Sequence, residues 1–322
     1  MINETTIYLL VFLASCFIFF FSGELVVKSL IKIAKYLGWK EFVVSFLVMA
    51  FVGSLPNLFV GISSALHGIP ELSFGDVIGG NVVDLTLSIA LAAIFAKNGI
   101  PAKSKTVHNT LFFTIIAAIL PILLIGDGVL SRIDGILLIL FFFLYVAWLF
   151  SKKERFTKIC EDENTITQSF KASFNGVFKV ILSIVLFIIA AEGIVRSASY
   201  FAITFNLPIA LIGIFIVGLG NCVPEIFFAI SSARKGVDWM ILGDLMGTIV
   251  APATLVLGIV SLINPIVITD FSPFFLARIF TFLAIFLFFI FIKNDSKISK
   301  KEAAILLMVY IAFILSEIFI RR

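Results

Sequence analysis

Two short segments of the sequence place a proline beside polar residues inside apolar stretches. One reads Gly53-Ser54-Leu55-Pro56-Asn57, and the other reads Asn221-Cys222-Val223-Pro224-Glu225. Proline lacks a backbone N–H and crowds the carbonyl four residues earlier, so it breaks one helical hydrogen bond. The freed carbonyls at positions 52 and 220, and those of Gly53 and Asn221 beside them, are then open to an ion. Glu225 adds a carboxylate, and ionisable groups at membrane depth mark functional sites. The two segments together predict a cation site.

The apolar stretch that follows each proline segment carries further polar residues and glycines. The first stretch holds Gly75-Asp76, Gly79-Gly80-Asn81 and Asp84, and the second holds Gly243-Asp244 and Gly247-Thr248. Asp76, Gly80 and Asp84 recur every four residues, so they share one face of a helix. Hard cations such as Ca²⁺ bind six to eight oxygen atoms at about 2.3–2.6 Å. The candidate metal ligands are Glu225, Asp84, Asn57, Gly53, Asn221, Ser54, Asp76, Asp244, Thr248 and Asn81.

A membrane fold must position these residues, because the chain is too apolar for a soluble protein. It is 61% hydrophobic and 14% charged, against about 45–50% and about 25% in soluble domains. A membrane-spanning helix needs about 20 mostly apolar residues. We therefore predict an all-α polytopic membrane protein with ten transmembrane helices, at 6–31, 41–66, 72–96, 106–126, 129–150, 173–201, 207–233, 238–263, 272–292 and 302–320.

Basic residues are unevenly distributed over the connections between these helices. Alternate connections carry between two and four Lys or Arg each, and the intervening ones carry little more than Arg132. Cytoplasmic loops are enriched in Lys and Arg, so the basic set is predicted to be cytoplasmic and both termini extracytoplasmic. We expect the protein in the plasma membrane. The basic set comprises Lys32, Lys35 and Lys40; Lys97, Lys103 and Lys105; Lys152, Lys153, Arg155 and Lys158; Arg234 and Lys235; and Lys293, Lys297, Lys300 and Lys301.

The two halves of the sequence match each other at a fixed offset of 168 residues. The matched residues include acids, prolines and serines as well as apolar residues, which chance similarity between apolar helices does not explain. Each half has five helices, an odd number, so the second half starts on the opposite side of the membrane, as in the inverted repeats of many transporters. We predict a first repeat at 1–150, a cytoplasmic linker at 151–172 and a second repeat at 173–322. Matched pairs include Glu24 with Glu192, Pro56 with Pro224, Ser63-Ser64 with Ser231-Ser232, and Gly75-Asp76 with Gly243-Asp244.

These motifs resemble the two alpha repeats of the cation/calcium antiporter superfamily, which includes sodium/calcium and proton/calcium exchangers. The family has a Gly-Thr-Ser-Leu-Pro-Glu-like segment and a Gly-Asn-x-x-Gly-Ser-Asn-like segment in each half. The resemblance implies alternating access, in which the first and sixth helices slide past the other eight. It places the ion site between helices two, three, seven and eight. It also assigns ligand roles to Glu225 and to the backbone carbonyls of Gly53 and Asn221.

Four positions depart from the family pattern. Asn57 stands where the family has an acid, and Pro252 stands where sodium/calcium exchangers typically have Asp, opposite Asp84 in the repeat. The predicted centre therefore holds two carboxylates, Asp84 and Glu225. Asp76 and Asp244, at positions where the family prefers amides, either compensate for the lost acids or carry protons.

We expect a secondary-active antiporter that exchanges Ca²⁺ or a related cation for Na⁺ or H⁺. A monovalent antiporter, Na⁺/H⁺ or K⁺/H⁺, and a divergent homologue that does not transport remain alternatives. We expect no enzyme, because the sequence has no His-Glu-x-x-His motif and no Ser/His pair at membrane depth. No cofactor and no nucleic acid are expected, only transported cations, the lipid bilayer and a monomeric transport unit. Glu24 and Glu192 fit a salt bridge, a position near the lipid headgroups or a role in transport.

Overall fold

A computed structural model describes residues 4–36, 53–102, 105–151, 170–236, 239–295 and 297–320. Nine helices within these ranges are long and apolar enough to span a membrane, and Leu55–Leu66 is a shorter apolar helix. That short helix is the described end of the second expected span, whose first part lies outside the described residues. The prediction of an all-α polytopic fold is confirmed. Most of the expected linker, 151–172, also lies outside the described residues.

The helices follow one another in the same order in both halves. We number them α1 to α5 in the first half and α6 to α10 in the second. The first half consists of α1 (Glu4–Tyr36), α2 (Leu55–Leu66), α3 (Glu71–Phe95), α4 (Lys105–Leu124) and α5 (Arg132–Ser151). The second half consists of α6 (Phe170–Thr204), α7 (Ile209–Ile212, Gly213–Val217 and Gly218–Lys235), α8 (Trp239–Ala251, Pro252–Val256 and Leu257–Ile263), α9 (Ser272–Asp295) and α10 (Lys300–Ile320).

A π-helical turn interrupts the third helix of each half at the same place. In α3 it covers Asp84–Ser88, and in α8 it covers Pro252–Val256, which begins 168 residues later. In each turn a threonine hydroxyl donates to the carbonyl four residues earlier: Thr86 to Val82, and Thr254 to Val250. π-bulges are rare and are often found at functional sites. Asp84 and Pro252 differ in sequence, but the backbone has the same π-turn at both positions.

Two short antiparallel ladders join the two halves at opposite ends of α4. Strand β1 (Ile100–Pro101), after α3, pairs with β4 (Lys297–Ile298), before α10. Strand β2 (Val129–Leu130), before α5, pairs with β3 (Ile266–Val267), after α8. In each ladder, one strand follows the third helix of one half and the other precedes the fifth helix of the other half. This exchange of partners is what an inverted repeat requires.

Glycines bring the backbones of α3 and α7 into direct contact. A Cβ added at Gly218 of α7 would lie 3.0 Å from the Asp76 carbonyl oxygen and 3.0 Å from the Gly80 nitrogen, both in α3. A Cβ added at Gly75 or Gly79 of α3 would overlap the carbonyl oxygens of Ala210 and Ile214, respectively. Small residues allow such close approach between membrane helices. The two halves therefore come into contact beside Asp76 and Gly80, two residues of the repeated four-residue spacing in α3.

Helices α1 and α6 pack against each other along their length and form a pair. The rings of Tyr8 and Tyr200 stack with centroids 4.1 Å apart, and those of Phe19 and Phe187 lie 5.6 Å apart. The Ser197 hydroxyl donates to the Tyr8 carbonyl at 3.1 Å, which adds a polar contact to the aromatic ones. Because hydroxyl, stacked and tilted aromatic contacts all join the same two helices, we expect α1 and α6 to move as one body.

Glu192 links this helix pair to α2. Its carboxylate accepts the Ser63 hydroxyl at 3.1 Å and the Arg196 Nε–H at 2.6 Å, and its Oε1 lies 3.2 Å from His67 Nε2. Glu192 therefore forms a salt bridge with Arg196 within α6, which was one of the three expectations for this residue. It also contacts α2 through Ser63. Glu24, its repeat mate, is exposed on α1.

Candidate cation-binding site

A small cavity lies where α2, α3, α7 and α8 meet. Its volume, measured for the centres of water-sized spheres, is about 10 Å³, close to what a single water molecule requires. It therefore has room for about one small dehydrated ion. Of the ten expected ligands, six line it, in company with four other residues. The lining is Asn57, Val77, Gly80, Asn81, Asp84, Asn221, Cys222, Glu225, Thr248 and Pro252.

Asp76 does not line the cavity but binds two residues that do. It is completely buried. Its carboxylate accepts the Asn57 Nδ2–H at 3.2 Å, and it accepts the Asn221 Nδ2–H group at 3.1 Å and 3.0 Å on its two oxygens. Asn57 belongs to the proline segment of the first half, and Asn221 belongs to that of the second. One carboxylate of α3 thus joins both proline segments.

Asp84 is the first residue of the π-turn in α3, and each of its two carboxylate oxygens accepts a hydrogen bond. The Ser88 hydroxyl donates to Oδ1 at 3.1 Å, and the Thr248 hydroxyl of α8 donates to Oδ2 at 3.1 Å. Hydrogen bonds of this kind orient a ligating carboxylate. Thr248 comes from the other half of the chain, so the orientation of Asp84 depends on contact between the repeats.

Glu225 has a carboxylate oxygen that is available to bind an ion. It is buried, and its Oε2 has no hydrogen-bond partner within the described part of the chain. The Nδ2 of Asn81, also in the cavity wall, is likewise unpartnered among the described residues. A buried polar atom left unpaired costs about 1–3 kcal/mol, and more when it is charged. A cation bound between Glu225 and Asp84 would satisfy the first of these atoms.

The remaining three expected ligands lie near the cavity but not in its wall. Asp244 is buried in α8 and interacts electrostatically with Asp84 and Glu225. Ser54 is buried, and its carbonyl accepts the Leu58 N–H at 3.0 Å. Gly53 is in the turn before α2. In the residues described, no three His, Cys, Asp or Glu side chains form a cluster spaced to hold a metal, so amide, hydroxyl and carbonyl oxygens would have to complete a ligand set.

The two prolines occupy different positions in the described helices, and the expectation of matching breaks in the two halves stays a prediction because residues 37–52 lie outside the described residues. Pro224 lies inside α7, as expected. Pro56 lies in the first turn of α2, which begins at Leu55 after a turn at Gly53–Ser54. A proline in the first turn removes an N–H that has no helical partner in any case. Residue 52, whose carbonyl was expected to be freed, lies outside the described residues.

Four cavity residues were absent from the expected ligand set: Val77, Gly80, Cys222 and Pro252. Cys222 is buried, and its thiol donates to the Gly80 carbonyl oxygen across the α3–α7 contact at 3.7 Å. The spacing of Asp76, Gly80 and Asp84 on one helical face was the available signal for Gly80. The position of Cys222, three residues before Glu225 and therefore on the same face of α7, was the signal for the thiol.

Replacing Thr248 with valine tests whether orientation of Asp84 matters for cation binding. Valine keeps the shape of the side chain but removes the donor to Asp84 Oδ2. We expect the apparent affinity for the transported cation to fall by about tenfold, the lower end of the range for residues that orient ligands. The measurement is initial uptake rate against cation concentration in proteoliposomes. Thr248→Ser, which keeps the hydroxyl, is the matched control and should retain the affinity; equal affinities in Thr248→Val and wild type would contradict the role.

Comparison with known proteins explains this arrangement. The model of the sodium/calcium exchanger protein family matches residues 7–151 and again residues 175–319. The chain belongs to this family. The two matches begin 168 residues apart, the offset found within the sequence, and they place the chain in the cation/calcium antiporter superfamily. It is therefore an integral membrane protein of a family of transporters.

Individual relatives are similar over most of their length. The chain is 25% identical to the sodium/calcium exchanger MaX1 of Methanosarcina acetivorans, over 89% of this chain and 92% of that protein. It is 24% identical to the putative antiporter CaxA of Alkalimonas amylolytica, over 96% and 97%. A solved structure of the sodium-calcium exchanger NCX_Mj, soaked with 2.5 mM Na⁺ and 10 mM Sr²⁺, shares the fold, with a TM-score of 0.66, 22% identity and coverage of 97% and 99%.

Proposed function

We propose that this exchanger-family protein is a secondary-active antiporter that exchanges Ca²⁺, or a related cation, for Na⁺ or H⁺ by alternating access. The observation that carries the proposal is the set of buried carboxyl groups around one small cavity. Glu225 interacts electrostatically with Asp84, Asp244 and Asp76, and all four are buried. Burying like charges together is costly unless a cation compensates them. Each half contributes two of the four.

The choice of cation follows from the carboxylates in the cavity wall. Asp84 and Glu225 line the cavity, and Asn57, Asn221 and Thr248 add neutral oxygens. Two carboxylates with neutral oxygen ligands suit one divalent hard cation. The name of the relative MaX1, a sodium/calcium exchanger, supports the same cation. Na⁺ or H⁺, binding at the same carboxylates in the alternate step, would release it.

A monovalent antiporter is the second candidate, and one observation favours it. The two amides already donate to Asp76, so this carboxylate is largely satisfied by protein groups. Only Asp84 and Glu225 would then compensate the transported charge, and one of them together with a proton or Na⁺ is enough for monovalent exchange. A non-transporting homologue is the third candidate, since Pro252 brings no oxygen side chain to the cavity wall.

Counter-transport in proteoliposomes separates the three candidates. Purified protein is reconstituted, and uptake of radiolabelled Ca²⁺ or Na⁺ is measured under an outward gradient of Na⁺ or an imposed pH gradient. We expect Ca²⁺ uptake that requires one of these gradients. Uptake of Na⁺ driven by protons, without Ca²⁺ uptake, would identify the monovalent antiporter. Absence of gradient-dependent uptake, with no cation-dependent shift in thermal stability, would identify the non-transporting homologue.

We further propose that the protein resides in the plasma membrane with both termini outside. The basic connections after α1, α3, α5, α7 and α9 support this orientation through the positive-inside rule. A protease site added to the N-terminus should be cleaved from outside intact cells, and one inserted between Lys153 and Phe170 should not be. The reverse pattern would overturn the orientation and leave the antiport proposal untouched.

A further inference from the structure

Asp76 is a buried acid that lies behind the cavity wall and not in it. It is completely buried outside the cavity wall, and its three recorded side-chain hydrogen bonds go to the amide nitrogens of Asn57 and Asn221. A carboxylate only accepts hydrogen bonds. The end of each amide that meets Asp76 is therefore its NH₂ group.

Fixing the NH₂ ends determines where the amide oxygens point. In a side-chain amide the oxygen and the NH₂ group lie on opposite sides of the same planar unit. An amide whose NH₂ group is held by Asp76 therefore turns its Oδ1 away from Asp76. Asn57 and Asn221 are buried and both line the cavity, so an oxygen turned away from Asp76 is available to an ion in the cavity. Oxygen is the atom that hard cations bind, and the NH₂ group would repel them.

We propose that Asp76 is a positioning residue that aims the side-chain oxygens of Asn57 and Asn221 at the transported cation, without binding the cation itself. This inference rests on the proposed antiport function. It gives Asp76 a different role from the two carboxylates in the cavity wall. Asp84 and Glu225 face the cavity and contact the ion, whereas Asp76 acts through two neutral side chains, one from each half.

The repeat in the sequence supports this difference in role. Asp244 is the repeat mate of Asp76, and Glu225 is the repeat mate of Asn57. In the second half the residue beside the proline is itself a carboxylate, which lines the cavity and presents an oxygen in any orientation. In the first half the residue beside the proline is the amide Asn57, which could present either its oxygen or its NH₂ group to the cavity. Because Asp76 accepts from the NH₂ group, the oxygen is the end that is presented.

Asp76→Asn disturbs this arrangement in a defined way. The new asparagine offers one oxygen and one NH₂ group to two neighbours that both present NH₂ groups. In either orientation of the new amide, its NH₂ group replaces an oxygen that accepted from a neighbour, because Oδ1 accepts from Asn221 and Oδ2 accepts from both. At least one neighbouring amide is then driven to turn over, which directs its NH₂ group into the cavity. Residues that orient metal ligands typically change affinity by about 10–100-fold. We expect the apparent KM for the transported cation to rise by about that factor, with little change in the maximal rate.

The double variant Asp76→Asn/Asn57→Asp again gives residues 57 and 221 one hydrogen-bond partner each. The Asn221 NH₂ group donates to the oxygen of the new asparagine, whose own NH₂ group donates to the new aspartate. The oxygens of residues 57 and 221 again face the cavity, and the total charge equals that of wild type. We expect the KM to return to within about threefold of wild type. Asp127→Asn is the control variant, because it makes the same chemical change at an exposed position and should leave the KM at the wild-type value.

Transport kinetics and the ion stoichiometry together test whether Asp76 is a positioning residue. The KM, maximal rate and number of counter-ions per transported cation are measured in proteoliposomes for wild type, both variants and the control. A raised KM with unchanged stoichiometry in Asp76→Asn, relieved in the double variant, supports positioning. An unchanged KM, or a changed stoichiometry that marks Asp76 as an ion carrier, overturns it. Wild-type protein that exchanges no cation would refute the proposed function instead, and cation-dependent thermal shifts of the same variants would still test positioning.

Discussion

Glu225→Gln is expected to reduce cation exchange to the background of empty vesicles. Glutamine matches glutamate in size and keeps one oxygen, so the helix and its packing should persist. The change removes one of the two carboxylates in the cavity wall, and it places an NH₂ group at or beside the position of Oε2, which is buried and has no partner among the described residues. Affinity for hard cations depends on the number of charged ligands. The measurement is gradient-driven uptake of radiolabelled cation by reconstituted protein.

The matched control for this variant is Glu302→Gln. Glu302 accepts hydrogen bonds from the backbone N–H and hydroxyl of Ser299 at the start of α10, far along the sequence from the cavity residues. The same change of chemistry there should leave uptake at the wild-type rate. Wild-type uptake by a correctly folded Glu225→Gln protein would show that the transported ion does not bind at this cavity, even if the protein is an exchanger.

Gly75→Ala is expected to destabilise the protein, while the equivalent change in the second half is not. A Cβ at Gly75 would overlap the Ala210 carbonyl oxygen and lie 3.2 Å from the Cα of Gly213, both backbone atoms of α7. Backbone atoms cannot turn aside as side chains do, so α3 and α7 must separate. Overpacking of this kind costs about 1–3 kcal/mol. The measurement is the midpoint of thermal unfolding in detergent.

Gly243→Ala supplies the matched control, because Gly243 is the repeat mate of Gly75. Among the residues that the structure describes, a Cβ there would have no atom within 4 Å beyond its own helix. Alanine is favoured over glycine inside a helix by up to about 1 kcal/mol, so the midpoint should stay or rise. Equal loss of stability in both variants would mean that helix propensity, and not the α3–α7 contact, sets the response.

Much of the architecture could be predicted because hydropathy and the repeat act at the level of whole helices. The offset of 168 residues was visible from acids, prolines and serines, and the family model matches the chain twice at the same offset. The π-turns were not predicted, although Thr86 and Thr254 stand at that offset as well. A π-turn adds one residue to a helical turn without a strong sequence preference, so its only signal was the repeated threonine.

The site could be predicted in its membership but not in its bonding. The helical spacing of Asp76 and Asp84 placed both on one face of α3, and six expected ligands do line the cavity. The separate roles of the two acids come from contacts between helices far apart in sequence, such as Asn221 with Asp76 and Thr248 with Asp84. Such contacts depend on how α3, α7 and α8 pack, which periodicity within one helix does not specify. These ligand assignments therefore stay predictions until binding is measured.

The two β ladders limit the degrees of freedom of this protein. One ladder joins the halves at one end of α4, and the other joins them at the opposite end. A rotation of one half against the other would open one end and close the other, so it would have to break the hydrogen bonds of at least one ladder. Neither ladder includes α1 or α6. A translation of the α1–α6 pair along the other helices would therefore break neither ladder. Such a translation would have to change the hydrogen bond between Glu192 of α6 and Ser63 of α2.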